Sequence, residues 1–258
     1  MTKNRALTTI LAVLLVLVLI VVMASSLFRV GKVNLVWYNT PNKCAHLTEQ
    51  HLMNISGISA MQSIFTMNRQ QYIDKIEESE EYLKVLSLEI VWPSDLSIHM
   101  IEREEVYAIP MLDNTTLVTD SDFKVLRKVS SSATDIFAHC ITIQGREGYN
   151  EDSYDVGDFL PTQYFVDYLP LQDAFFANDQ DLVSMQALIS TAKVVEDTLS
   201  MQTYSGVTID ILNVSYYTDT KVRTALSMFS TLSATQLSQG SIYVFKNEYS
   251  IIEGRYIA

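Results

Sequence analysis

Residues 91–103 read VWPSDLSIHMIER, and the placing of apolar residues on either side of the proline decides how this part of the chain folds. Before it, Leu86, Leu88, Ile90 and Trp92 fall on alternate positions; after it, Leu96, Ile98 and Met100 do the same. Alternation at period two is the pattern of a strand with one buried face. Pro93 fixes its own φ and has no N–H to donate, so it ends the first strand and suits a turn. Two strands joined through Pro-Ser-Asp predict a tight hairpin.

Working toward the N-terminus, Asn68 is a natural cap for a helix whose Tyr72, Ile73 and Ile76 form an apolar stripe. Before it, Thr48 caps a shorter helix carrying Leu52 and Ile55, and Gly57 supplies the stop. Residues 28–37 alternate again, with Val33, Leu35 and Trp37 on one face, and end at a turn-forming stretch around Pro41. The order strand, helix, helix, strand, strand over residues 28–102 predicts a small α+β domain with two helices on a three-stranded sheet.

Residues 6–27 are a run of 22 without a charge. As a helix the run would reach roughly 33 Å, enough for a hydrocarbon core of about 30 Å. It exceeds the about 7–15 residues of a signal-peptide core, so the expectation is an uncleaved transmembrane helix rather than a cleaved leader. With residues 1–5 as a short tail, the N-terminus is expected in the cytoplasm and the bulk outside it. No polar residue lies at 14–22, which suits anchoring and not transport.

Toward the C-terminus, residues 103–258 change texture to short apolar segments divided by turn signals, the pattern of a mostly antiparallel β domain. Strands are expected at residues 106–112, 116–120, 124–129, 136–144, 207–214, 241–245 and 249–256. Two helices are expected to interrupt them: residues 180–201, with Leu182, Val183, Met185, Leu188, Ile189, Ala192, Val195 and Leu199 at spacings of three and four, and residues 221–232. The segment GSIYVF, residues 240–245, is apolar on both faces, which fits either an interior strand or an exposed edge that a partner covers.

With 258 residues, 48% of them hydrophobic, the chain can build a real core. Setting aside Lys3 and Arg5, 16 basic residues stand against 30 acidic ones, a net of −14. That charge disfavours nucleic acid and anionic lipid surfaces as partners. Two cysteines, Cys44 and Cys140, exclude a disulfide-built scaffold and are expected as separate buried thiols.

Catalytic and metal chemistry finds little footing. His139 and Cys140 are neighbours, and adjacent residues on a strand point to opposite faces, so a dyad is not expected. His46 and His51 are five apart, the wrong spacing for one helical face, and His99 is isolated. The carboxylates Glu77, Glu78, Glu80 and Glu81 read as a solvated helix end. No zinc, calcium or phosphate-loop pattern is present, and neither a cofactor nor a small-molecule substrate is expected.

The quoted segment, through Trp92, Pro93, Leu96, Ile98, Glu102 and Arg103, resembles the most recognisable stretch of the bacterial cell-division FtsQ/DivIB family, and the frame of short tail, single span and two-helix, three-strand unit agrees with it. Two departures are Glu105, where a proline is common, and Ser121 after Asp120, where a glycine is common. The resemblance implies a POTRA domain at residues 28–102 and a partner-binding β domain at 103–258. Its function would be that of a non-enzymatic divisome scaffold of the septal cell membrane, with coiled-coil single-pass partners like FtsL and FtsB/DivIC and contacts to other divisome proteins. It assigns Trp92, Pro93, Glu102 and Arg103 a structural role and points to Ile242, Tyr243, Val244, Phe245, Tyr249 and Ile251 for partner binding. The competing readings are a signal-anchored cell-envelope hydrolase and a POTRA-containing translocation component.

Overall fold

The structure is a computed structural model that describes residues 11–20, 22–23, 28–60, 62–133, 137–176, 182–216 and 218–258. Residues 11–20 and 22–23 are helical with their apolar side chains exposed. The expected span at residues 6–27 lies partly outside the described residues, among which no helix is long and apolar enough to cross a membrane.

The rest of the chain divides into two compact α+β units, one ending at Arg103 and one beginning at Glu104. In the first, β1 (Val33–Trp37), α1 (Glu49–Ser56), α2 (Arg69–Ser79), β2 (Leu83–Val91) and β3 (Asp95–Glu102) follow the expected order. Thr48 accepts a hydrogen bond from the His51 N–H at the start of α1, and Gly57 closes it in the left-handed conformation at φ 76°. Asn68 caps α2 through the Gln71 N–H. The sheet order is β1-β3-β2, with β1 parallel to β3 and β2 antiparallel to it. Leu52 and Ile76 from the helices meet Val33, Leu83, Leu88, Leu96, Ile98 and Met100 from the sheet in one core. The first strand proper starts later than expected, at Val33. The preceding residues run beside 62–64 instead, where Val30 N–H donates to Gln62 O and Ile64 N–H to Phe28 O.

The second unit is built on a nine-stranded sheet. Its strands are β4 (Tyr107–Pro110), β5 (Thr115–Thr119), β6 (Val125–Ser130), β7 (Ile141–Gln144), β8 (Ile189–Val195), β9 (Thr198–Thr203), β10 (Thr208–Leu212), β11 (Ser241–Lys246) and β12 (Ile252–Ile257). The order is β12-β11-β10-β9-β8-β7-β4-β5-β6, with parallel pairing at β11–β10, β8–β7 and β7–β4 and antiparallel pairing elsewhere. Among the described residues three α-helices accompany it: α3 (Leu169–Phe176), α4 (Leu182–Leu188) and α5 (Thr218–Thr231). α5 packs on β10, β11, β12 and α3. Its buried Lys221 donates through Nζ to the carbonyls of Leu212 (2.8 Å) and Asn213 (2.6 Å), and desolvation holds the amine below the ordinary lysine pKa.

The helix expected at residues 180–201 is a correction. Among the described residues of that range only Leu182–Leu188 is helical, and β8 and β9 follow it as a hairpin. Its turn is Glu196-Asp197, both at positive φ (49° and 64°), the geometry of a two-residue hairpin turn. β-Branched Ile189, Thr191, Val194, Val195 and Thr198 favour the pleated surface. Sheet pairing overrode the helical spacing that the apolar residues also happened to satisfy.

Candidate functional site

One face of the C-terminal end of the large sheet lies against α5 and the other is open. Ile209, Ile211, Ile242 and Val244 point into the core, while Thr208, Asp210, Tyr243 and Phe245 point away from it. Across β8, β9 and β10 the open face is polar, with Thr191, Lys193, Ser200, Gln202 and Thr208 lining a shallow groove. At β11 it becomes aromatic: Tyr243 and Phe245 stand beside Arg255 and Glu253 of β12, with the Arg255 guanidinium 5.1 Å from the Phe245 ring centre.

GSIYVF is not the sheet edge. β11 is paired on both sides, parallel to β10 and antiparallel to β12, and β12 is the outermost strand. Ile242 and Val244 are fully buried, so of the six expected contact residues these two cannot offer side chains to a partner. Tyr249 and Ile251 sit in the turn joining β11 to β12, 82% and 58% exposed. Asn247 organises that turn: its Oδ1 accepts from the Tyr249 and Ile251 N–H groups (2.9 Å each) and its Nδ2 donates to Glu253. The structure thus gathers Tyr243, Phe245, Tyr249 and Ile251 at one open sheet margin.

In the first unit the motif residues have structural work. Glu102 accepts from the N–H groups of Asn42 (2.7 Å) and Cys44 (2.8 Å), and its backbone exchanges two bonds with the Asn39 amide. Arg103 is buried and donates to Glu77 Oε2 (2.8 Å) and to Leu83 O, while Glu77 Oε1 accepts from Val85 N–H. Neither residue is a solvated strand end, and Glu77 is no solvated charge. Trp92, 64% exposed, lies outside the core and packs edge-on against Phe28, with ring centres 5.3 Å apart, and beside Phe65 at 5.9 Å.

Residues 42–103, from the loop that Glu102 clips to Arg103 itself, match the family model described as POTRA domain, FtsQ-type. This unit is an FtsQ-type POTRA domain. The match bears out the resemblance to the FtsQ/DivIB family, and a domain of this type suggests a scaffold role in cell division. No curated protein matches the chain.

The POTRA domain also brings together side chains that sequence spacing kept apart. His46 precedes α1 and His51 lies within it, so the one-face rule for helices does not govern them. Glu80, the C-cap of α2, stands between: His51 Nε2 is 2.8 Å from Glu80 Oε1 and His46 Nε2 is 3.7 Å from Glu80 Oε2.

In the second unit His139 and Cys140 are not on a strand, as expected, but in the turn before β7. His139 Nε2 is 3.0 Å from Glu105 Oε2, which also accepts from Arg127 Nη2 at 2.6 Å. The Cys140 thiol is buried beside Ala108 and Val118 in a small apolar cluster, with its sulfur within 4.8 Å of donor atoms of His139 and Glu105. Gln186 donates to the carbonyls of Glu105 (2.6 Å) and His139 (3.1 Å). Glu105, the departure from the family pattern, is therefore a buried hub joining β6, α4 and the entry to β7. The only sequence signal for it was that departure.

Proposed function

We propose that this chain is a non-enzymatic divisome scaffold, tethered to the cell membrane by residues 6–27, that links membrane-anchored division proteins at the septum through extracytoplasmic contacts. The FtsQ-type POTRA domain at residues 42–103 carries the reading. Its partners are coiled-coil single-pass proteins resembling FtsL and FtsB/DivIC, together with other divisome proteins.

The docking surface is the β11–β12 margin. An outermost strand offers backbone N–H and C=O groups to a strand of another protein, and side chains beside it set specificity. Tyr243 and Phe245 supply aromatic area next to β12, and Tyr249 and Ile251 extend it at the turn. These are anchors of the kind that dominate interface energetics. The alternating margin of Glu253, Arg255 and the aromatic pair selects a partner with both apolar and charged groups.

Changing Tyr243 and Phe245 together to Lys should abolish co-purification with the coiled-coil partner while leaving the melting temperature within a few degrees of the parent. Unchanged co-purification would remove the surface from the proposal. A fluorescent fusion of the whole chain should form a mid-cell ring, and depletion should give filaments; uniform membrane staining would count against the divisome role itself.

A further inference from the structure

We infer that His46, His51 and Glu80 of the POTRA domain form a binding site for a divalent transition-metal ion, with Zn2+ the best match. The donor atoms, one ring nitrogen from each histidine and a carboxylate oxygen, all lie within 4.8 Å of one another. Ligands around a tetrahedral Zn2+ at about 2.0–2.1 Å from the metal stand roughly 3.3 Å apart. The separations of 2.8 Å from His51 Nε2 to Glu80 Oε1 and 3.7 Å from His46 Nε2 to Glu80 Oε2 fall on either side of that distance.

The His46 ring is already oriented for ligation. Its Nδ1 lies 3.0 Å from the Lys43 carbonyl oxygen, which only accepts, so Nδ1 carries a hydrogen and Nε2, on the side of Glu80, is the nitrogen left to ligate an ion. A backbone carbonyl behind a histidine is the usual outer support of a metal ligand. His51 Nε2 and Glu80 now share a hydrogen bond; on binding, that proton moves to Nδ1 or to solvent and both atoms turn to the ion. The imidazole rings meet edge to face with centres 5.9 Å apart, which leaves them free to converge on a common point. Two imidazoles and a carboxylate are a borderline donor set that suits Zn2+ and related ions over Ca2+ or Mg2+, and solvent fills the fourth position on the exposed side.

The three ligands come from the loop before α1, from α1 and from the end of α2. A bound ion would cross-link the two helices of the domain, so its effect is on the rigidity of the layer.

The test uses the full chain in detergent, carrying no histidine tag, titrated with Zn2+ by calorimetry and with Co2+ by visible absorption. One ion should bind with low-micromolar affinity, Co2+ should give the intense d–d bands of a tetrahedral N/O site, and Zn2+ should raise the melting temperature of the POTRA domain. H46Q, H51Q and E80Q should each weaken binding at least roughly tenfold. His46 is an exposed side chain, so H46Q keeps the fold, which circular dichroism verifies. H139Q with C140S removes two donors of the other group, Glu105, His139 and Cys140, and should leave binding intact. Binding that is only millimolar, that survives H46Q, or that disappears with H139Q and C140S would overturn the assignment.

Discussion

Arg103 and Glu105, two residues apart, are both buried charges, and each is held by partners within its own unit. Removing one member of a buried ion pair strands the other, which costs about 3–5 kcal/mol, against near zero for an exposed pair. R103A should therefore lower stability by about 3 kcal/mol in denaturant unfolding of the POTRA domain, whereas E78A, on an exposed side chain of α2, should leave it within about 0.5 kcal/mol. Tyr107 and Tyr168 give a second reading at this scale. Both are buried, and desolvation raises their pKa, for Tyr107 against the opposing effect of the bond from Gln172. An unfolded chain releases these protons above about pH 10 while the native one keeps them. Their contribution to stability is thus complete below that pH and is lost as pH rises further. These two should ionise only on alkaline unfolding, seen as a late cooperative step in ultraviolet titration. That step should be smaller in Y107F.

Hairpins and capped helices carry their instructions locally, and this is why the POTRA domain could be read from its residues. Thr48, Gly57, Asn68 and Pro93 each act on backbone groups within a few positions of themselves. The same logic misled at residues 180–201, because spacings of three and four in Leu188, Ile189, Ala192, Val195 and Leu199 also arise when two alternating strands meet at a short turn. Glu196-Asp197 between β-branched residues was the signal that outweighs them. The burial of Ile242 and Val244 and the interior place of β11 were not legible, since which strand ends a sheet depends on pairings far apart in the chain. Nor was the approach of His46 and His51 to Glu80, which needs α1 and α2 packed together. At β12, Gly254 faces α5, where an added Cβ would collide with Met228 Sδ and crowd Thr224 at 3.3 Å. G254V should cost about 1–3 kcal/mol by overpacking, and M228A should return part of that loss in the double variant. Equal losses in the presence and absence of Met228 would mean that the glycine serves another purpose.

Across the whole molecule, each unit encloses its own apolar core, one around Leu52, Ile76 and Ile98 and one around Tyr107, Phe165 and Ile209. A segment with its own core has what it needs to fold alone. Residues 104–258 expressed by themselves should unfold in one cooperative transition and should retain co-purification with the coiled-coil partner; a chain without that transition would show that the large sheet depends on residues before Glu104. The acidic balance read from composition belongs to the surface chemistry and says nothing of this division, which follows from where apolar side chains cluster.

The ring of Trp92, set against Phe28 and Phe65 outside any core, makes the hairpin turn optically distinct. The chain has two indoles, and the other, Trp37, is half-buried in β1. With Trp37 replaced by Phe, all the indole emission of the protein would come from a single ring whose centre stands 5.3 Å from that of Phe28. Its colour and its quenching by acrylamide or by brominated acyl chains would report, without any attached dye, how near that corner sits to water or to lipid.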